Sequence, residues 1–132
     1  MKTLLHAFIL FVGIALTPHL AQATHYGGGE ISYRCLGFSQ YEIRITYYED
    51  CNFNFNPITS VGLSYESTSC GMAATTVYIP LDTFYDVSPL CAAVLDSSSC
   101  NGGSLPGVRK TVYIDTLTLP ANCVDWELYT EG

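Results

Sequence analysis

Residues 30–50 read EISYRCLGFSQYEIRITYYED, and this stretch decides the fold. In its second half, apolar side chains such as Ile43 alternate with mostly polar ones, and the residues before the break at 36–39 alternate in the same way. Because successive side chains of a strand point to opposite faces, this pattern predicts two half-buried strands. The break between them predicts a turn, and therefore a hairpin of residues 30–36 with residues 40–50.

The rest of the chain repeats this pattern in shorter pieces. Alternating runs bounded by turn-forming residues predict strands at residues 60–66, 75–79 and 110–119, and a last strand that begins at Val124. No window has helical periodicity, and at most one short helical turn is expected, at residues 90–96. Strands of this length and spacing predict an all-β fold, an antiparallel immunoglobulin-like β-sandwich.

One predicted strand changes parity along its length. Val112 and Ile114 lie at even positions, whereas Leu117 and Leu119 lie at odd ones. A continuous strand would send these two pairs to opposite faces, so either both faces are buried or a β-bulge lies near residues 115–116. Of these two alternatives, we expect the bulge.

Residues 1–23 have the features of a secretory signal peptide. Lys2 supplies a positive charge, an apolar stretch follows, and Ala21-Gln22-Ala23 is a small-residue cleavage site. The apolar stretch is too short to cross the about 30 Å of hydrocarbon in a bilayer. We expect cleavage after Ala23, which leaves residues 24–132 as one exported β-sandwich module without a transmembrane segment.

All six cysteines lie in this module: Cys35, Cys51, Cys70, Cys91, Cys100 and Cys123. No two of them form a C-x-x-C pair, which disfavours metal and redox sites. An even number of cysteines in an exported chain predicts disulfides, although the sequence leaves their connectivity open. The best single pair by spacing is Cys91 with Cys100, because a short loop of small polar residues between them closes easily.

Charge and histidine content argue against several classes of function. The chain has 12 acidic and 5 basic residues, whereas nucleic-acid binders carry a basic surface. After the signal peptide, His25 is the single histidine, and the chain has no G-x-S-x-G or H-E-x-x-H motif. The neighbouring Glu49 and Asp50 are a weak candidate for the paired carboxylates of a glycosidase. We therefore expect no catalytic residues and no cofactor.

A loop after the first hairpin is a weak calcium candidate. Asp50, Asn52, Asn54 and Asn56 alternate along the chain and supply oxygen atoms, which calcium prefers as ligands. The pattern departs from an EF-hand, because Phe55 stands where that loop needs glycine. We expect an Asn-rich loop between strands that binds no calcium tightly.

Aromatic residues are abundant, with 10 tyrosines and 1 tryptophan. They predict either core packing or an exposed binding face for sugar or protein. Exposed, coplanar rings at Tyr48, Tyr113 and Trp126 would favour sugar binding, and buried rings would favour packing. Near the chain end, Val124, Trp126 and Leu128 share one parity, so we expect these three to face the core.

Several ordered motifs resemble the N-terminal module of large Bacteroidetes secreted and surface proteins. They are ATHYGGGEISYRCLG at residues 23–37, EDCN at 49–52, VSPLC at 87–91, CNGGSLPGV at 100–108, TLP at 118–120 and DW at 125–126. This chain departs from the family at Glu49, where arginine is usual, and at Gly27, where a larger residue is usual. Together the motifs cover almost the whole predicted module.

The resemblance implies the N-terminal part of a long, repeat-containing protein associated with gliding motility or type IX secretion. It implies a cell-surface location, no catalytic residues, and a cysteine (Cys35 or Cys123) that pairs with a partner beyond Gly132. Our leading hypothesis is a non-catalytic exported module for adhesion or display, which binds an unidentified surface protein or glycan and no nucleic acid. The alternatives are a carbohydrate-binding module that uses exposed aromatics and, less favoured, a small secreted hydrolase.

Overall fold

A computed structural model describes residues 26–52 and 56–130; the predicted signal peptide and Asn54 lie outside these ranges. The described residues form six strands and two short 3-10 helices. The strands are β1 (Tyr26–Gly37), β2 (Gln40–Asp50), β3 (Ser60–Ser67), β4 (Met72–Asp86), β5 (Val108–Thr118) and β6 (Glu127–Tyr129). The helices are Ala92–Ser97, close to the predicted helical turn, and Ser99–Asn101. The fold is all-β, as predicted.

All neighbouring strands pair antiparallel in one curled sheet of order β1-β2-β5-β4-β3-β6. The curl arises at β4, whose first half pairs with β3 and whose second half pairs with β5. Leu81 lies at this corner: its N–H donates to Thr59 O at 2.9 Å, and it lies opposite Tyr113 of β5. β4 is therefore one long strand that belongs to both ladders. The finer prediction, an immunoglobulin-like sandwich, stays a prediction.

The predicted β1–β2 hairpin is confirmed. Its turn consists of Phe38 and Ser39, whose φ angles are 51° and 61°. Positive φ at both central residues is the conformation of a type I′ turn, which matches the twist of the flanking strands. The Phe38 side chain is fully exposed at the tip of this turn.

The core lies between the two ladders that share β4. Its buried apolar residues come from four strands and the residue after β5: Ile43, Ile45, Val61, Leu63, Ile79, Tyr113, Leu117 and Leu119. The Tyr113 hydroxyl donates to Ile58 O at 3.1 Å, so this buried ring keeps a hydrogen bond. The curl of the sheet thus buries the inward faces of β2, β3 and β5 against one another.

The predicted bulge near residues 115–116 is wrong. The β2–β5 register runs without a shift from Gln40 opposite Thr118 to Asp50 opposite Val108. Thr111, Val112 and Tyr113 are consecutive and all buried, so both faces of β5 are covered at this point. The parity change therefore reflects apolar residues on both faces of one regular strand: Tyr113 and Leu117 face the core, and Val112 is buried on the opposite face.

Two disulfides cross-link distant parts of the chain, Cys51–Cys100 and Cys70–Cys123. The predicted Cys91–Cys100 pair is wrong, because Cys100 lies beside the end of β2, where its Cα is 4.8 Å from that of Cys51. Cys35 and Cys91 are unbridged and exposed. Cys123 therefore has its partner within the chain, and of the two cysteines that the resemblance singled out, only Cys35 is left.

Candidate functional site

The inward face of β1 is uncovered although it continues the face that forms the core. Ile31 lies opposite Ile45 and Tyr33 lies opposite Ile43, and both partners in β2 are buried. Ile31 is nevertheless 37% exposed and Tyr33 is 73% exposed. β1 is one end of the strand order, and its inward side chains are more exposed than those of the neighbouring β2. An apolar strip of sheet is thereby left open.

The other end of the strand order is β6, which pairs with β3 along three residues. A groove of about 280 Å³ opens where the two ends of the curled sheet approach each other. We call this space the seam groove. Tyr33, Tyr41 and Ile43 line it from the β1–β2 side, and Cys123, Val124, Trp126 and Leu128 line it from the β6 side, with Leu117 and Leu119 between them.

Two aromatic contacts shape the walls of the seam groove. On one wall the rings of Tyr33 and Tyr41 meet edge to face, with centroids 6.1 Å apart. On the other, Trp126 meets Tyr65 edge to face at 5.8 Å, and its indole Nε1–H donates to Ala121 O at 3.2 Å. These contacts orient the aromatic rings on both walls of the groove.

Trp126 and Leu128 pack against the core, as predicted. The prediction for Val124 is wrong, since that side chain is 98% exposed. The regular alternation begins only at Glu127, where β6 starts, and the preceding residues follow a bend next to the disulfide of Cys123. Strand parity therefore does not extend back to Val124.

Asp125 holds the β6 side of the groove in place. Its carboxylate accepts from Ser67 Oγ at 2.6 Å and from the Ser69 N–H at 2.8 Å, and the Ser69 hydroxyl also donates to it. The hydrogen bond from Ser67, together with those from Ser69, lowers the Asp125 pKa to about 2. Together with the adjacent Cys70–Cys123 disulfide, this clamp ties the segment before β6 to the end of β3.

The Glu49 carboxylate performs a similar structural task at the far end of β2. It is 5% exposed, and its Oε2 accepts from Arg109 Nε at 3.0 Å and from Thr111 Oγ1 at 2.8 Å. The Arg109 guanidinium also stacks over the Phe84 ring at 5.9 Å. Asp50, the other half of the predicted carboxylate pair, is exposed, and the alternation along β2 puts it on the opposite face. The fold does not bring the two carboxylates together.

The calcium candidates are only partly within the described residues. The Asp50 Oδ1 accepts from the Asn52 N–H at 2.9 Å and from Asn52 Nδ2 at 2.8 Å, which makes a local turn. Asn56 is exposed, and Asn54 lies outside the described residues. In the described part of the chain, no group of three or more His, Cys, Asp or Glu residues could hold a metal ion. The calcium prediction stays a prediction.

The three aromatic residues singled out from the sequence do not form one exposed platform. Tyr113 is buried in the core, whereas Trp126 lines the seam groove. Tyr48 alternates with the inward residues of β2 and contacts Lys110 on the outer face, where the ammonium lies 5.7 Å from its ring. Sequence reasoning missed the role of Tyr33 and Tyr41 in lining the groove, because the groove exists only where the two ends of the sheet approach each other.

Comparison with known protein families, with characterised proteins and with solved structures finds no match. Within the described residues, neither helix has the length and apolar character needed to span a membrane. The seam groove is therefore the candidate functional site of this chain.

Proposed function

We propose that this chain is a non-catalytic, exported module of a bacterial cell-surface protein, which serves adhesion or display by binding an extended apolar protein segment in the seam groove. The observation that carries the proposal is the open inward face of β1, where Tyr33 is 73% exposed above the groove. An apolar surface held open by a rigid scaffold is typical of interaction sites.

The shape and chemistry of the groove favour an extended peptide as its occupant. The groove lies between two sheet ends, and an extended segment that follows it can place alternate side chains against its lining. Its lining is largely aliphatic and aromatic, so the peptide side chains that face it should be apolar. The position of Tyr33 and Trp126 on opposite walls provides an aromatic contact on each side.

Export is supported by the disulfides and by the predicted signal peptide. The two disulfides join residues 49 and 53 positions apart in the sequence, and such cross-links persist in oxidising compartments. A module outside the cytoplasm that keeps its shape through cross-links is suited to surface display.

The carboxylates of Glu49 and Asp125 have structural roles, which supports the proposal of a non-catalytic module. Glu49 is engaged by Arg109 and Thr111, and Asp125 is engaged by Ser67 and Ser69. Each of these carboxylates connects two segments of the fold, and both therefore act as fixed structural hydrogen-bond acceptors.

The test compares two tyrosines of equal exposure in cells that display the protein. Tyr33 is 73% exposed at the groove, and Tyr78 is 72% exposed on β4 and does not line it. We expect Tyr33→Glu to abolish attachment of the cells to a surface or to one another, and Tyr78→Glu to leave attachment unchanged. Protease treatment of intact cells should digest both variants. Attachment that survives Tyr33→Glu, or protein that stays in the cytoplasm, would overturn the proposal.

A second candidate is the carbohydrate-binding module, which the rings of Tyr33, Tyr41 and Trp126 in the groove favour. Against it, sugar recognition needs several fixed polar groups beside the rings, and the side chains that line the groove are aromatic or aliphatic apart from Cys123. Affinity electrophoresis in gels that contain polysaccharides separates the candidates. Retardation of the wild type and of Tyr78→Ala, but not of Tyr33→Ala, would support sugar binding over peptide binding.

A further inference from the structure

The outer hydrogen-bonding edge of β1 is a second unpaired feature, beside the inward face of the strand that lines the groove. Between Gly28 and Cys35 the strand pairs regularly with β2, and register shifts occur only outside this stretch. Within the described residues nothing pairs with the other edge of β1. A regular, unpaired edge is a ready template for another strand.

The sequence along this edge is complementary to itself when read in the opposite direction. Residues 29–35 read GEISYRC, with Ser32 at the centre. If a second copy of β1 lies antiparallel with Ser32 opposite Ser32, Glu30 of each copy lies opposite Arg34 of the other. On the inward face, Ile31 of each copy then lies opposite Tyr33 of the other. Opposite charges and aromatic–β-branched pairs are both favourable across neighbouring strands.

Other registers lose this complementarity. A shift by one residue places inward residues opposite outward ones, which mixes apolar and charged side chains on one face. A shift that places Arg34 opposite itself, or Glu30 opposite itself, sets like charges against each other. The intermediate shifts leave both charges opposite uncharged residues. Only the register centred on Ser32 pairs both charges.

The neighbours of β1 also suit this register. Arg34 already contacts Glu42 of β2 at 2.9 Å with its side chain 70% exposed, so it can be shared with a second carboxylate. Cys35 would lie opposite Gly29, where a side chain is excluded because a Cβ would lie 2.9 Å from the Tyr47 ring. No bulky pair therefore meets at the ends of the paired stretch.

We propose that two copies of this chain associate through their β1 edges, antiparallel and centred on Ser32, to form one continuous sheet across both molecules. The contact is non-covalent: the two Cys35 side chains would lie about 20 Å apart, three residues on either side of the centre. The inference does not depend on the proposed surface function, and purified protein tests it.

Charge reversal tests the pairing by sedimentation velocity across a range of concentrations. Glu30→Arg and Arg34→Glu should each raise the dimer dissociation constant about tenfold or more, because both charge pairs become like-charged. An equimolar mixture of the two variants should regain dimers, since each pair again contains opposite charges. Glu127→Arg, which makes the same charge change on β6, should behave as wild type. Thermal melts confirm that each variant is folded.

Cysteine cross-linking tests the register in a Cys35→Ser, Cys91→Ser background. Directly opposite residues of antiparallel strands have Cα atoms about 4.5 or 5.5 Å apart, within the span of a disulfide. Ser32→Cys should therefore cross-link with itself, whereas Glu30→Cys should cross-link only when mixed with Arg34→Cys. A wild type that is monomeric at all concentrations, or dimers that the charge variants leave unchanged, would overturn the proposal. So would dimers lost on Cys35→Ser alone.

Discussion

Removal of the Cys70–Cys123 disulfide measures how much of the stability comes from a cross-link that the sequence did not reveal. The bridged residues are 53 positions apart, so the disulfide closes a large loop in the unfolded chain. The chain-entropy relation for a loop of this size predicts a stabilisation of about 4 kcal/mol. Because a domain of this size is stable by about 5–15 kcal/mol in total, Cys70→Ala/Cys123→Ala should lose a large share of it.

Urea denaturation followed by tryptophan fluorescence gives the free energy of unfolding and its dependence on denaturant. We expect the midpoint to fall and the m-value to rise, since the unfolded chain becomes less compact without the cross-link. The matched control is Cys35→Ala/Cys91→Ala, which makes the same chemical change at two unbridged and exposed cysteines. That control should stay close to wild type, within about 0.5 kcal/mol.

Two results would refute this reasoning. A loss below about 1 kcal/mol for Cys70→Ala/Cys123→Ala would mean that the unfolded chain is not restrained by this cross-link. A loss in the Cys35→Ala/Cys91→Ala control equal to that of the bridged pair would mean that the disulfide connectivity is different. The Cys51–Cys100 disulfide spans 49 residues and is a second reference, for which the same relation predicts nearly the same loss.

Three further predictions concern the chain end and the hairpin turn. Trp126→Ala should lower the free energy of unfolding by about 3–5 kcal/mol, because the indole packs against the core. Tyr129→Ala, at a more exposed position, should be tolerated, and urea denaturation measures both variants. Phe38→Asn/Ser39→Gly should raise the melting temperature, because asparagine and glycine adopt the positive φ of this turn with less strain and stabilise it by about 1 kcal/mol. An unchanged or lower melting temperature would contradict the type I′ assignment. The folded pKa of Asp125 is about 2, below its ordinary value, so its stabilisation is present above about pH 4 and is lost as the pH falls toward 2. Melting temperatures measured over this range should therefore fall more steeply for wild type than for Asp125→Asn, and equal slopes would contradict the clamp.

The local pattern of the sequence was sufficient to predict where most of the strands lie. Alternation at residues 30–50 predicted the β1–β2 hairpin, and similar runs predicted β3, part of β4, β5 and the core-facing Trp126. These features depend on which face of a single strand is apolar, and this information is contained in neighbouring residues. The all-β class follows from the same local rule, because nearly every element obeys it.

Tertiary structure alone decided the disulfides, the burial of β5 on both faces and the seam groove. Cys100 bonds to Cys51 across 49 residues because the end of β2 meets the helical loop, a contact that no spacing rule contains. Tyr33 has the same strand parity as core residues, yet it is exposed because it lies on β1, at the end of the strand order and outside the strands that form the core. Alternation determines the face of a strand on which a side chain lies, whereas only the arrangement of all the strands determines whether that face is covered.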